Sequence, residues 1–381
     1  MTTTVAGFVG VTGSAGVKAG VADLSLVHAT GAATSAAVFT RSRFAGPSVR
    51  VSREADTSGL RAVVVVSGNA NVATGEQGLA DARELQAWAA GRAGCSPQQV
   101  LVASTGVIGV RYPLETMRER LAEVPAVGPV DLGSVARAIM TTDTRPKVAS
   151  RRVGAATVVG IAKGVGMIEP DMATMLSFVY TDAEVGATEL DAMFRRVVDR
   201  TYNAVSVDTD TSTSDTAAVL ASGAAGPVDP AALEAALLEV GTELVRMIAS
   251  DGEGASTLIE VRVTGARDDA QAKLVGKSVV SSPLVKTAVH GADPNWGRVA
   301  MAVGKCESET DIHQEDVRIA FGGLETYPTL PTPERRAELE AYLANDTVVI
   351  EVDLGIADGA FTVYGCDLTE GYIRINADYT T

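Results

Sequence analysis

The sequence predicts an α/β or α+β protein, a layered sandwich of helices and mixed sheets. Three observations predict it. In the first half, apolar runs of strand length alternate with stretches of helical periodicity. Aromatic residues are only 4% while glycine numbers 38, so the core must be built from Val, Leu, Ile and Ala between many tight turns. A chain of 381 residues, without internal repeats or low-complexity linkers, has room for two or three domains at roughly 100–200 residues each.

The elements follow in order. Residues 61–67 (RAVVVVS) are a buried-strand run ending in the turn-rich Gly68-Asn69-Ala70-Asn71. Residues 79–93 repeat at helical spacing, with Leu79, Ala82, Leu85 and Trp88 inward. Residues 100–104 (VLVAS) form a strand stopped at Thr105-Gly106. Residues 157–161 lead into Lys163-Gly164-Val165-Gly166, and 174–180 are another run of strand length. A helix is expected over 189–202, with Thr188 as its N-cap. Residues 229–250 read as a long amphipathic helix. Asp229 can cap its free N–H groups, and Pro230 suits a first turn that needs no N–H. This helix stops before Gly252, and 259–263 alternate as a half-buried strand. Beyond them the pattern gives one helix, 333–343, and strands at 348–352, 361–364 and 372–375.

Charge and composition exclude several functions. Lys+Arg is 32 against Asp+Glu 47, a formal net charge of -15, which repels phosphate backbones and anionic lipid. The densest basic stretch, Arg145, Lys147, Arg151 and Arg152, is short and lacks interleaved aromatics, so neither nucleic acid nor membrane is an expected partner. Three cysteines without CxxC spacing argue against a disulfide framework or zinc site and fit a reducing cytoplasm. The opening residues lack the basic-then-apolar pattern of a secretory signal, and apolar runs fall far short of the ~20 residues of a membrane span. His28, His290 and His313 are widely spaced, so a nucleophile here has few histidine bases to choose from.

Three stretches imitate cofactor motifs and fail. The polar run 208–216 (DTDTSTSDT) would be an EF-hand loop only with Gly at Thr213 and Glu at Val219. It reads better as a hydroxyl-rich loop capping local backbone groups. Gly276-Lys277-Ser278 resembles the end of a phosphate-binding loop, but Gln271 stands where its first Gly belongs. Gly164-Val165-Gly166 lacks the third Gly, having Glu169 instead. No metal or organic cofactor is expected.

The most informative stretch is 163–176, KGVGMIEPDMATML. Two glycines and a proline set sharp geometry next to Ala173-Thr174, where an apolar run begins. A threonine hydroxyl is a weak nucleophile without an adjacent base. Cleavage before Thr174 would supply one, because a free α-amine has a pKa near ~7.7–8.0. Small Ala173 would leave its carbonyl open to the Thr174 hydroxyl, and the resulting ester would be hydrolysed by water. Spacing alone favours a plain strand-initiating threonine in a turn.

This segment resembles the self-cleavage and nucleophile motif of the glutamate/ornithine N-acetyltransferase family. The resemblance continues in order through Phe39-Thr40-Arg41-Ser42-Arg43 with Val51-Ser52-Arg53-Glu54, Ser67 to Asn71, Ala103 to Gly109 and Met140 to Thr144. It then takes in the 208–216 loop, Ser250 to Gly254, His290 to Arg298 and the terminal Asn376 to Thr381, nearly the whole length. The Glu169-Pro170-Asp171 spelling, where many members carry Ala and Asn or Ser, is similar to the branch associated with clavulanic acid biosynthesis.

The resemblance implies the ornithine acetyltransferase / L-aminopeptidase D-esterase fold. Thr174 would be both self-cleavage residue and acyl-accepting nucleophile. Cleavage between Ala173 and Thr174 would give an α chain, 1–173, and a β chain, 174–381. Within the β chain, 174–280 would complete the catalytic domain and 281–381 would form a smaller C-terminal domain. Thr105 and Gly106 match the oxyanion-hole pair. Thr141 (or its neighbour Thr142), Lys163, Thr174, Glu253, Asn376 and Thr381 match substrate contacts, although Lys163 and Glu253 could equally be solvated surface charges. For residues 290–298 we expect only a turn with a packed Trp296. The implied reaction is acetyl transfer from N2-acetylornithine to glutamate by an α2β2 heterotetramer, with acetyl-CoA left open as a second donor. Two rivals remain: a self-processing amidase or aminopeptidase, and a non-enzymatic amino-acid-binding protein.

Overall fold

Valine-rich strands build three mixed sheets in the computed structural model, which describes residues 3–169 and 175–378. The first sheet runs Val100–Val107, Ala62–Asn69, Leu24–Ala29, Phe8–Gly13, Gly128–Pro129. Only its first pair is parallel. The second runs Thr34–Phe39, Thr216–Pro227, Leu176–Glu184, Ala156–Lys163, Lys147–Val153, with the second and third strands parallel. The third has six strands and takes Val205–Ser206 and Leu258–Ala266 alongside strands from residue 318 onward.

Alternating side chains explain the layers, because successive residues of a strand face opposite sides. Val63, Val65 and Leu101 of the first sheet meet Val159, Ile161, Phe178 and Leu220 of the second. The outer face of the first sheet, Val64, Val66 and Val102, covers Leu79, Ala82, Leu85 and Ala89 of the helix Gly75–Ala93. The outer face of the second, including Val158, Val179 and Val219, packs under the helices Ala187–Arg200 and Pro230–Ser250. Gly160 permits that approach: a Cβ there would lie 2.5 Å from Val240 Cγ1.

The long helix forms as its ends dictate, with Asp229 Oδ2 accepting the Ala232 N–H at 3.1 Å and Pro230 in the first turn. Three expectations need correction. The helix expected from Thr188 starts at Ala187 after Gly186, and a 3₁₀ turn, Tyr202–Ala204, follows it. The strand expected to stop before Thr105-Gly106 runs through them to Val107, because Gly68 and Gly106 lie opposite one another and let the two backbones close. Residues 372–375 are not a strand but part of the helix Glu370–Asp378. Tyr-Ile-Arg-Ile alternates as a strand would, yet Ile373 is 65% exposed, so no sheet face buries it. Arg374 instead pairs with Glu370 one turn earlier at 3.2 Å.

Three helices, Asp269–Val280, Pro283–His290 and Trp296–Gly304, also went unread in the C-terminal third. Residues 276–278 lie inside the first of them, so they form no phosphate loop. Trp296 opens the last helix and stacks on Tyr327 with ring centroids 5.1 Å apart. Among the described residues, no helix is long and apolar enough to cross a membrane.

Candidate active site

Thr105 and Gly106 stand near the end of a strand of the first sheet, and Lys163 ends a strand of the second. The Lys163 ammonium reaches across to the Thr105 hydroxyl at 3.4 Å. One cavity opens at this junction, lined by Thr105, Gly106, Thr141, Thr142, Lys163, Glu253 and Asn376. Six of these are substrate-contact or oxyanion positions expected from the sequence, and they come from five separate stretches of chain. Met175 and Leu176 line the same cavity. Ala173, Thr174 and Thr381 lie outside the described residues.

The polar wall is held by side chains that hold one another. Glu253 accepts the Asn376 amide at 2.9 Å and the Thr142 hydroxyl at 3.3 Å. Its backbone N–H donates to the Val165 carbonyl at 2.9 Å. Gly166 lies so close that a Cβ there would sit 2.6 Å from the Glu253 carboxyl carbon. Thr141 donates its backbone N–H to Asp143 at 3.0 Å. Lys163 is buried, with 8% exposure, and is not a solvated surface residue. Burial pushes its pKa below the ordinary lysine value; Asp143, Asp215 and Glu253 oppose that fall and Lys147 adds to it.

The 208–216 loop does cap backbone groups, as the hydroxyl-rich reading expects, but the groups are far away in sequence. Asp208 accepts the N–H of Met167 at 2.6 Å and of Ile168 at 2.7 Å, holding the segment after Lys163. The far end of the loop does more, since Ser212, Thr213, Ser214 and Asp215 line the cavity. Thr40 braces it, donating its hydroxyl to the Ser212 carbonyl at 2.7 Å and its N–H to the Asp215 carbonyl at 3.0 Å.

Sequence reasoning passed over Asp215. It is 2% exposed, and its Oδ2 has no partner among the described residues. Burial pushes its pKa well above the ordinary 3.8, and the Ser212 and Thr40 hydroxyls and the Lys163 charge do not compensate. The native state therefore keeps this proton at pH values where the unfolded chain has lost it. Stability falls as pH rises through that window. Asparagine mimics the neutral acid, so Asp215→Asn should unfold at the same or a higher temperature than wild type at pH 8. Any gain should shrink toward pH 4. A variant less stable at both pH values would show that the ionised carboxylate is required.

His290 sits apart from this site, its Nδ1 3.0 Å from Asp367, which also accepts the N–H groups of Ser256 and Thr257. That arrangement ties the loop after Gly254 to the third sheet and leaves the histidine no reacting partner in the cavity.

Known proteins share this chain almost end to end. The ArgJ family matches residues 10–381. A Streptomyces clavuligerus protein named Glutamate N-acetyltransferase Oat2 is 60% identical over 367 residues, covering 94% of this chain and 93% of that one. An Arginine biosynthesis bifunctional protein ArgJ from Rhodococcoides fascians is 56% identical over 362 residues, covering 94% and 90%. The crystal structure of Arginine biosynthesis bifunctional protein argJ from Bacillus halodurans is 44% identical with a TM-score of 0.51, covering 54% of this chain and 100% of that chain. With the mixed-sheet fold and a cavity gathering the expected contacts, these likenesses agree with the resemblance read from the motifs: the chain belongs to the ArgJ family.

Proposed function

We propose that the protein is a glutamate N-acetyltransferase that moves the acetyl group of N2-acetylornithine to glutamate through an acetyl ester on Thr174. The observation that carries this reading is the cavity itself. It draws Thr105, Gly106, Thr141, Lys163, Glu253 and Asn376 together, and Met175, the chain neighbour of Thr174, lines it too.

Maturation comes first. The Thr174 hydroxyl attacks the Ala173 carbonyl, the acyl group passes from nitrogen to oxygen, and water hydrolyses the ester. A carboxyl is left on Ala173 and an α-amine on Thr174. That amine is the base of the transfer reaction, taking the hydroxyl proton as the Thr174 oxygen attacks the acetyl carbonyl. The Thr105 hydroxyl and the Gly106 N–H stabilise the oxyanion, one such donor contributing ~3 kcal/mol to the transition state. The C–N bond breaks, the amine returns its proton to the leaving nitrogen, and ornithine departs. Glutamate's amine then attacks the ester, the oxyanion collapses, and the Thr174 hydroxyl is restored. Lys163 suits the substrate carboxylate and Glu253, fixed by Asn376, suits a substrate ammonium. Thr141 and Thr381 complete the proposed contacts.

The Bacillus halodurans structure lends support to the cut. The whole of that chain matches 54% of this one, close to the share held by 174–381. We keep the division into 1–173 and 174–381, with 281–381 as the smaller domain, an α2β2 assembly and a cytoplasmic setting.

The test is ornithine release from N2-acetylornithine, measured with and without glutamate. Release that depends on glutamate, with N-acetylglutamate formed one for one, is the expected result. Release at the same rate without glutamate would make the protein an amidase. No release at all, with the substrate still bound, would make it a binding protein. Acetyl-CoA in place of acetylornithine reads whether a second donor loads the same threonine.

A further inference from the structure

Beneath the cavity lies a buried ion cluster that the transfer chemistry leaves unassigned. Lys147 is fully buried, its ammonium 2.7 Å from Asp143 Oδ1 and 2.6 Å from Asp251 Oδ2. Each carboxylate also accepts backbone N–H groups of a different segment. Asp143 Oδ1 accepts the Gly164 N–H at 2.7 Å, directly after Lys163, and its Oδ2 accepts the Thr141 N–H at 3.0 Å. Asp251 accepts the Thr144 N–H at 3.2 Å and the Thr144 hydroxyl.

Charge explains why both carboxylates are there. A buried cation loses hydration and reverts to the neutral amine unless anions face it. The carboxylates facing Lys163 are Asp143, Asp215, whose pKa burial pushes up, and Glu253, while Lys147 and Lys18 repel it. Lys18 is itself half-buried and donates to the Met140 carbonyl at 3.0 Å. Asp251 faces Lys147 and Thr144 instead. Asp143 is thus the carboxylate that both pairs with Lys147 and most opposes the fall of the Lys163 pKa. Burial alone would raise its pKa, yet Lys163 and Lys147 together hold it below the ordinary carboxylate value.

We propose that Asp143 is a positioning residue for recognition of the substrate carboxylate, stationing the Lys163 ammonium at the cavity through the Gly164 N–H that follows it and fixing the Thr141 backbone on the same wall. This inference rests on the acetyl-transfer reading. Asp143 touches no reacting atom, so its effect falls on binding and on pH rather than on the chemical step.

The test uses the full processed enzyme and measures kcat and KM for N2-acetylornithine and glutamate from pH 6 to pH 10. In Asp143→Asn, Lys147 keeps Asp251, so the fold is retained. The alkaline limb of kcat/KM should move to lower pH. KM for both substrates should rise on the order of 10-fold or more at pH 9, the worth of one charge-assisted hydrogen bond. At pH 6 KM should change less than about 2-fold, with kcat little altered at either pH. Asp143→Glu should restore the limb, whereas Asp251→Asn should lower Tm and leave it in place. Lys163→Arg carries a cation that does not titrate in this range, so it should lose the limb altogether.

A limb that persists in Lys163→Arg overturns the proposal, even if Asp143→Asn fails to fold. So does an Asp143→Asn profile parallel to wild type, or an Asp251→Asn variant that shifts the limb equally. A wild type that transfers no acetyl group would instead overturn the acetyl-transfer reading, and this inference with it.

Discussion

Thr174→Ala is expected to leave a single 39.2 kDa chain and no acetyl transfer. Intact mass under denaturing conditions should show two wild-type fragments whose masses fit a break between Ala173 and Thr174. The variant should show neither. Both losses come from one oxygen atom, because the same hydroxyl attacks its own peptide bond and later the substrate. Loss of the nucleophile in enzymes of this kind costs roughly 10⁴-fold or more in rate. Thr174→Ser retains a hydroxyl and should still be cut, though more slowly where the missing methyl loosens the hydroxyl's orientation. A wild type found uncut yet fully folded would remove the free-amine base, and the mechanism with it.

Gly106→Ala should lower kcat by roughly 10²–10³-fold and lower Tm as well. Gly106 has φ +129, a backbone conformation that L side chains rarely adopt. A Cβ there would overlap the Gly68 carbonyl carbon and lie 2.5 Å from its oxygen and 2.6 Å from the Asn69 nitrogen. Those atoms are backbone, so they cannot rotate away. The strand must shift, carrying the Gly106 N–H and the Thr105 hydroxyl away from the oxyanion. Thr105→Val separates the two donors: it keeps strand geometry, so it should lower kcat without the same fall in Tm. A Gly106→Ala enzyme with wild-type kcat and Tm would take that N–H out of the reaction.

Local chemistry was legible in the sequence wherever a few neighbouring residues decide the outcome. The helix Pro230–Ser250 needed only its cap, its proline and its period, all within one segment. The strand Ala62–Asn69 needed only an unbroken run of β-branched residues. Thr174, Thr105, Gly106, Lys163 and Glu253 were named from ordered blocks of motif, and of these the four described residues line one cavity. Where the segment has two self-consistent conformations, the sequence was ambiguous. Tyr-Ile-Arg-Ile alternates like a strand, but a strand gains stability only against a sheet, and none covers residues 372–375. The short helices Pro283–His290 and Trp296–Gly304 offer too few turns for periodicity to stand out.

Ionisation and long-range partnership belonged to the tertiary structure alone. Lys163 and Asp215 carry no mark in sequence of being buried, and burial is what lowers one pKa and raises the other. Asp143 and Asp251 sat inside the quoted motif blocks, but nothing in their spacing says that they share Lys147. The Asp251 partner is 104 residues away from it. The amino-acid order determined which chemical groups were available and which helices and strands could form. Only folding decided which charges met without water between them, because solvation and Coulomb energies depend on distance in space and not on position along the chain.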